Sequence, residues 1–290
     1  MLIYSAFLAN LHLNIRKSVR NLSPHELKKL REAFDKMMKI KDDRGYGAIA
    51  GIHGLPLPIS CVHGERSVET DPSFRLFPLW HRAYLYIFEL GLQDAAVDHT
   101  ITIPYWDWSV KAFREEGIPK AFSDPRIDDG SPNPLFKFHV KLPPDTDLRR
   151  FTQATQCPKS LQFDTHREPH SRFSPRLPTE AHVKRVLAEK DYGFFSDALE
   201  QIHNSVHGYV GGRCGDMSHV PFAAFDPIFW AHHSMIDRLF YLWQLDTHHT
   251  IPLSVRDTVL KPFELTVGKV LNIYRLGYDY AGQQQLVSRI

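Results

Sequence analysis

Apolar residues recur at helical spacing along several stretches of the chain. Ser23-Pro24-His25-Glu26 combines a capping box with proline at the first helical position, and Leu27, Leu30, Phe34 and Met37 follow on one face. The pattern predicts a helix from about Pro24 to Ile40. Trp80 to about Asp94 carries Leu85, Ile87, Phe88 and Leu92 with no interrupting proline, which predicts a second helix with His81 in its first turn. Ser196 to Val210 resumes the helical pattern. Asp226 to Trp243, DPIFWAHHSMIDRLFYLW, is so nearly apolar all round that it must be a buried helix. Ile101 to Trp108, ITIPYWDW, is aromatic and β-branched, but its proline argues against a central strand and for a buried extended segment. From Arg114 to about Pro178 the chain is rich in Pro, Asp and Ser with little periodicity, which reads as a long irregular excursion over the surface. Phe263 to Val267 and the terminal Gly277-Tyr278-Asp279-Tyr280 suit short strands. The chain is mostly helical with minor β.

A length of 290 residues suits one large domain spanning residues 1–290, and no internal repeat divides it. A net charge of +2 with no Lys/Arg run excludes a basic nucleic-acid footprint. No apolar run is long enough to span a membrane. The opening Met1 to Leu13 is broken by Asn10 and His12 and lacks the basic start of a signal peptide, which favours the cytoplasm. The three cysteines, Cys61, Cys157 and Cys214, cannot all pair with one another. Histidine changes the picture more, because the 17 histidines cluster beside the aromatic segments, where the chemistry is to be sought.

His203 and His207 stand four residues apart in a predicted helix, so both imidazoles project from one face and can converge on one metal. A zinc-protease reading fails, since it needs Glu where this chain has Asn204. In the buried helix, His232, His233, Asp237 and Arg238 interrupt the apolar run, and that much buried polarity requires partners. A metal-bound histidine oriented by a carboxylate meets the requirement, and Asp237 lies one turn beyond His233 on the same face; a hydrogen-bond network without metal meets it too. Upstream, His53 ends the apolar stretch AIAGIHG, His63 lies in Cys61-Val62-His63-Gly64, and His81 follows Phe77-Pro78-Leu79-Trp80. Sites built of neutral imidazoles suit copper, zinc or iron rather than calcium or magnesium.

With these segments in view, the chain resembles the type 3 copper family of tyrosinases, catechol oxidases and molluscan haemocyanin units. FPLWHRAYLYIFE, Phe77 to Glu89, resembles the family's first copper signature, and DPIFWAHHSMID, Asp226 to Asp237, resembles its second; IPYWDW and HNSVHGYVGG are also similar to family segments. The resemblance runs from about Ile15 to Tyr280. It implies a mainly α fold, with a four-helix-bundle core holding a dicopper site, long irregular loops and a few short β-strands. It implies His53, His63 and His81 as ligands of the first copper (CuA), and His203, His207 and His233 as ligands of the second (CuB), with His232 as a neighbour. One departure concerns His63: the family sets its middle CuA histidine closer to the histidine of Trp-His-Arg, whereas here 18 residues separate His63 from His81. Glu65 to Arg75 is then either an inserted loop or a sign that His63 is not the ligand. Cys61 is similar to a family cysteine joined to the histidine by a thioether; the alternative is a buried thiol.

The resemblance further implies two copper ions with dioxygen as co-substrate, small phenolic substrates, and oxidation of catechols to ortho-quinones with ortho-hydroxylation of monophenols. Reversible oxygen carriage, as in haemocyanin, is the alternative. Asn204 resembles a tyrosinase position that helps hold a water able to deprotonate a monophenol, and Glu200 is the candidate partner base if its carboxyl is buried. Gly208 and Val220 shape the entrance. Phe222 and Phe225 either stack on a substrate ring or fill the core. Tyr278-Asp279-Tyr280 resembles the Tyr-x-Tyr motif that closes the family's core domain, packing on Arg16; with only ten residues after it, the expectation is an open site with no separate lid domain.

Overall fold

The computed structural model describes residues 13–56, 61–62, 74–169, 176–246 and 248–282. The capping box forms as expected: Ser23 accepts from the Glu26 amide while Glu26 reaches back to the Ser23 amide, and helix α1 runs Pro24–Lys39 with Leu30, Phe34 and Met37 on its buried face. A short apolar helix, α2 (Tyr46–Gly51), ends just before His53. Helix α3 (Phe77–Ala96) starts earlier than the expected Trp80, because Pro78 fits the first turn, where its missing N–H leaves nothing unpaired. His81 is therefore a full turn inside the helix rather than in its first turn.

Helix α4 (Glu180–Leu187) precedes α5 (Tyr192–Gly211), which begins before the expected Ser196 because the Asp191 side chain accepts from the Phe194 amide as an N-cap. Helix α6 (Ile228–Gln244) is buried from Ile228 through Trp243. Helices α1, α3, α5 and α6 make the bundle, with α6 packed on both α3 and α5. Trp230 of α6 stacks on Phe88 of α3, and Trp243 stacks on Phe195 of α5 with ring centroids 4.5 Å apart. Burial of such large rings contributes several kcal/mol at about 25 cal/mol per Å² of apolar surface.

The strands among the described residues form three two-stranded pairs. Strand β1 (Asn14–Arg16) lies parallel to β6 (Tyr278–Tyr280), β2 (His139–Lys141) is antiparallel to β3 (Gln162–Asp164), and β4 (Val259–Leu260) is antiparallel to β5 (Leu265–Thr266). Of the expected Phe263 to Val267 strand, only Leu265–Thr266 is paired. Ile101 to Trp108 is buried and extended as anticipated, with the Tyr105 amide donating to the Lys17 carbonyl and the Val19 amide to the Tyr105 carbonyl. The β1–β6 pair places Arg16 beside Asp237: the Arg16 Nη1 donates to Asp237 Oδ2 at 3.2 Å, its Nε donates to Glu89 at 2.9 Å, and its guanidinium lies 3.6 Å from the centre of the Tyr278 ring. The expected packing of Tyr278 and Tyr280 on Arg16 is present.

Between Arg114 and Pro178, the described residues are more ordered than their sequence suggests. They hold the β2–β3 pair and a helix over Arg149–Thr155, and long-range contacts tie them down. Lys159 pairs with Asp216, Arg167 donates to Asp226 at 2.7 Å, and Cys157 is in a disulfide with Cys214. These partners lie far away in the chain, so local periodicity carries no trace of them. The disulfide closes a loop of 57 residues. Cys157→Ser is expected to lower the stability read from urea unfolding by about 2–4 kcal/mol, through the entropy returned to the unfolded chain. An unchanged urea midpoint would show that the salt bridges alone hold the segment.

Candidate metal centre

Of the histidines singled out in the sequence, His53, His81, His203, His207, His232 and His233 come together where α2, α3, α5 and α6 meet. His203 and His207 share one face of α5, as their spacing predicts, with ring centroids 4.3 Å apart. His233 of α6 points its Nε2 at the same place, 3.2 Å from the Nε2 of each. His207 Nδ1 donates to the Met217 carbonyl at 2.6 Å, and His203 Nδ1 to the Asn204 side-chain oxygen at 3.0 Å. Those bonds place the ring proton on Nδ1 and turn the Nε2 lone pairs inward.

Beside this group, His53 donates from Nδ1 to the Val220 carbonyl at 2.8 Å, and His81 donates from Nδ1 to the Phe77 carbonyl at 2.9 Å. The second bond exists because α3 starts at Phe77. Cys61 is buried with its Sγ 3.3 Å from His81 Nε2. Two groups with metal-ligand character result, His203/His207/His232/His233 and His53/Cys61/His81, with the ligand atoms of each group within 4.8 Å of one another. The groups adjoin, since the His81 ring stacks on that of His233 with centroids 4.4 Å apart. His63 and its expected link to Cys61 lie outside the described residues.

Convergent lone pairs in a buried site repel unless a cation lies between them. Protonation does not supply it: burial holds His233 well below the usual histidine range, and the surrounding histidines push it the same way. His232 is likewise held low, by burial and by His207. Neutral imidazoles with the far nitrogen fixed by a carbonyl are the donor set a soft divalent or monovalent transition metal takes, so the residues fit copper.

One expected partner is corrected. Asp237 does not orient His233; it accepts from Arg82, Arg16, Tyr278 and Tyr280, and the His233 Nδ1 has no hydrogen-bond partner among the described residues. Four-residue spacing puts the two on one helix face, but two buried arginines from distant elements claim the carboxylate. His232 accepts at Nδ1 from the Trp108 indole at 3.2 Å. The carbonyls of Phe77, Met217 and Val220 were not legible in the sequence, because any residue type can supply a carbonyl.

A pocket of about 210 Å³ opens onto His53, His203 and His207, with Asn204, Gly208 and Val220 at its wall. Gly208 and Val220, the two residues expected at the entrance, both line this pocket. Asn204 is exposed, and Glu200, one turn earlier on α5, is half-buried. Phe222 and Phe225 fill the core: Phe222 packs on Phe151 and Phe163, and Phe225 on Phe138. No helix among the described residues is long and apolar enough to cross a membrane.

Comparison with known proteins agrees with this geometry. A haemocyanin A-type chain, units Ode to Odg, from Enteroctopus dofleini is 30% identical over 245 residues, covering 79% of this chain and 18% of that protein. Haemocyanin type 2 unit e of Rapana venosa is 33% identical over 247 residues, covering 79% of this chain and 54% of that protein. The chain thus spans well under two thirds of the length of these curated relatives. Among solved structures, a functional unit of octopus haemocyanin superposes with a TM-score of 0.70 at 27% identity, covering 93% of this chain and 68% of that one. The fold is also that of a tyrosinase from Burkholderia thailandensis, with a TM-score of 0.75 at 24% identity over 93% of this chain and 74% of that one. Residues 43–246 match the common central domain of tyrosinase. By that match, over most of its length, this chain belongs to the tyrosinase family of type 3 copper proteins.

Proposed function

We propose that the chain oxidises phenols and catechols to ortho-quinones with dioxygen, using two copper ions held by His53, His63 and His81 on one side and by His203, His207 and His233 on the other. The observation that carries this reading is the pocket of about 210 Å³ reaching His53, His203 and His207 through small wall residues, Gly208 and Val220, large enough for a single aromatic ring. Copper bound there would supply the redox couple that passes electrons from substrate to dioxygen. In the overall reaction, two catechols and one dioxygen give two quinones and two waters.

The protein's share is orientation, exclusion of water and proton handling. Carbonyls and the Asn204 amide fix the imidazoles of His53, His81, His203 and His207, and Phe229, Phe77 and Trp80 pack against His53, His203 and His81. A phenol entering past Gly208 gives up its hydroxyl proton to a water held by Asn204 and passed on to Glu200. Asn204→Ala and Glu200→Gln are therefore expected to slow monophenol turnover by about a hundredfold while catechol turnover falls much less. Equal losses on both substrates would remove the proton role.

The haemocyanin relatives favour a second reading, reversible oxygen binding. Oxygen uptake by copper-loaded protein with L-tyrosine and with L-DOPA separates the two. Turnover of either supports the enzyme, and an absorption that comes and goes with oxygen without turnover supports the carrier. The Cys157–Cys214 disulfide favours an oxidising compartment over the cytoplasm expected from the N-terminal sequence.

A further inference from the structure

A second cavity, of about 280 Å³, lies between α4, α6 and the extended segment carrying Tyr105, Asp107 and Ser109, and it shares no wall residue with the histidine pocket. Phe113, Val183, Leu187, Met235 and Leu239 give it a buried apolar wall. Set into that wall is Arg238, only 2% exposed, whose Nε and Nη1 are buried without a hydrogen-bond partner among the described residues. Its guanidinium lies 4.7 Å from the centre of the Tyr105 ring. A buried guanidinium with unmet N–H groups is costly, and an acceptor from outside the chain would relieve it.

The cavity's other inner charge is Asp107. One of its oxygens accepts from the Ser109 hydroxyl at 2.8 Å. Burial pushes this carboxyl above the usual aspartate range, although Ser109 and Arg238 pull it down, so its ionised form is poorly solvated. At the rim, Arg20 pairs with Glu116 at 3.6 Å, while Glu180 and Lys184 are exposed to solvent. A simple anion would meet Asp107, and a simple cation would meet Arg238. A molecule carrying both charges at one end and an apolar group at the other satisfies the two inner charges and the wall together.

We propose that this cavity binds a small α-amino acid with an apolar side chain, its carboxylate on Arg238, its ammonium on Asp107 and its side chain against Leu187 and Leu239. The volume suits a ligand at the small end of the usual range for such sites. The site is independent of the copper reading. It is nevertheless linked to the metal centre through the chain, because Trp108, between Asp107 and Ser109, donates to His232.

Isothermal titration of copper-loaded protein with L-leucine tests the site, alongside 4-methylpentanoate, which lacks the ammonium, and 3-methylbutylamine, which lacks the carboxylate. Leucine is expected to bind, with each analogue at least about tenfold weaker. Arg238→Gln is expected to abolish binding. Because that variant could fold poorly, Leu187→Trp, which fills the cavity from its apolar wall, is expected to do the same with copper content unchanged. Equal binding of 4-methylpentanoate would overturn the zwitterion. Leucine binding that persists in Leu187→Trp would place it elsewhere, on copper for instance, and overturn the site. The absence of heat up to about 10 mM leucine would leave the cavity to water and overturn it as well.

Discussion

His233→Ala protein is expected to keep about half the copper of the parent and to lose at least about a thousandfold in turnover, since a metal centre supplies several kcal/mol of stabilisation in the transition state. The substitution removes the nitrogen toward which both His203 and His207 point. Those two imidazoles cannot close the gap, because the Met217 carbonyl and Asn204 hold them from behind. The His81 ring also loses the surface on which it stacks, so the neighbouring group loosens. Metal analysis after dialysis, with circular dichroism to confirm the fold, checks the claim. Full copper retention and near-parent activity would mean that the metal sits elsewhere.

Asp237→Ala is expected to destabilise the fold by about 5 kcal/mol, the upper end of what removing one partner of a buried ion pair costs. The variant strands Arg82, fully buried, leaves the equally buried Arg16 with Glu89 as its one remaining carboxylate, and takes from the Tyr278 hydroxyl its acceptor. Replacing the ion pairs by well-packed apolar residues would be far milder, so the loss measures an uncompensated charge rather than the worth of the bridge. Chemical denaturation of parent and variant gives the number, and a loss under about 1 kcal/mol, the range of exposed pairs, would show that water reaches the arginines.

The same carboxylate sets a pH dependence. Burial pushes Asp237 up, but Arg82 and Arg16, with the two tyrosine hydroxyls, outweigh it and hold the group below the usual aspartate range. A group lowered in the folded state stabilises the fold above its unfolded value, about 4, and that contribution is lost as pH falls through the lower folded value. The parent is therefore expected to lose stability on acidification below about pH 4. Asp237→Asn, already lacking the charge, should show a flatter curve there.

What the sequence made legible was local. Two histidines one turn apart on a helix must share a face, and a doublet inside an apolar run must find partners, so five of the six expected histidines lie in the cluster, the sixth being His63, outside the described residues. The helices of the bundle were legible for the same reason, within a few residues at their ends. What escaped was long-range. Spacing assigned Asp237 to His233, but Arg16, distant by 221 residues, and Arg82, distant by 155, take it instead. The carbonyls of Met217 and Val220 leave no mark in residue type. The order of the segment from Arg114 to Pro178 is likewise due to partners such as Asp216, Asp226 and Cys214, whose proximity only the folded chain reveals.

The pairing of β1 with β6 also bears on how the molecule is made. Arg16 leaves the ribosome well before the strand that brings the Tyr280 hydroxyl to it, 264 residues later. Every helix that carries a proposed copper ligand is synthesised before that strand, so the bundle can begin to collapse while Asp237 and its arginines still lack their tyrosine cover. Such distant pairing is slow to form, because loop closure must precede its reward. A nascent chain paused before Tyr278 would thus hold its histidines near one another around an unfinished charged core, and the emergence of a single three-residue strand would complete it.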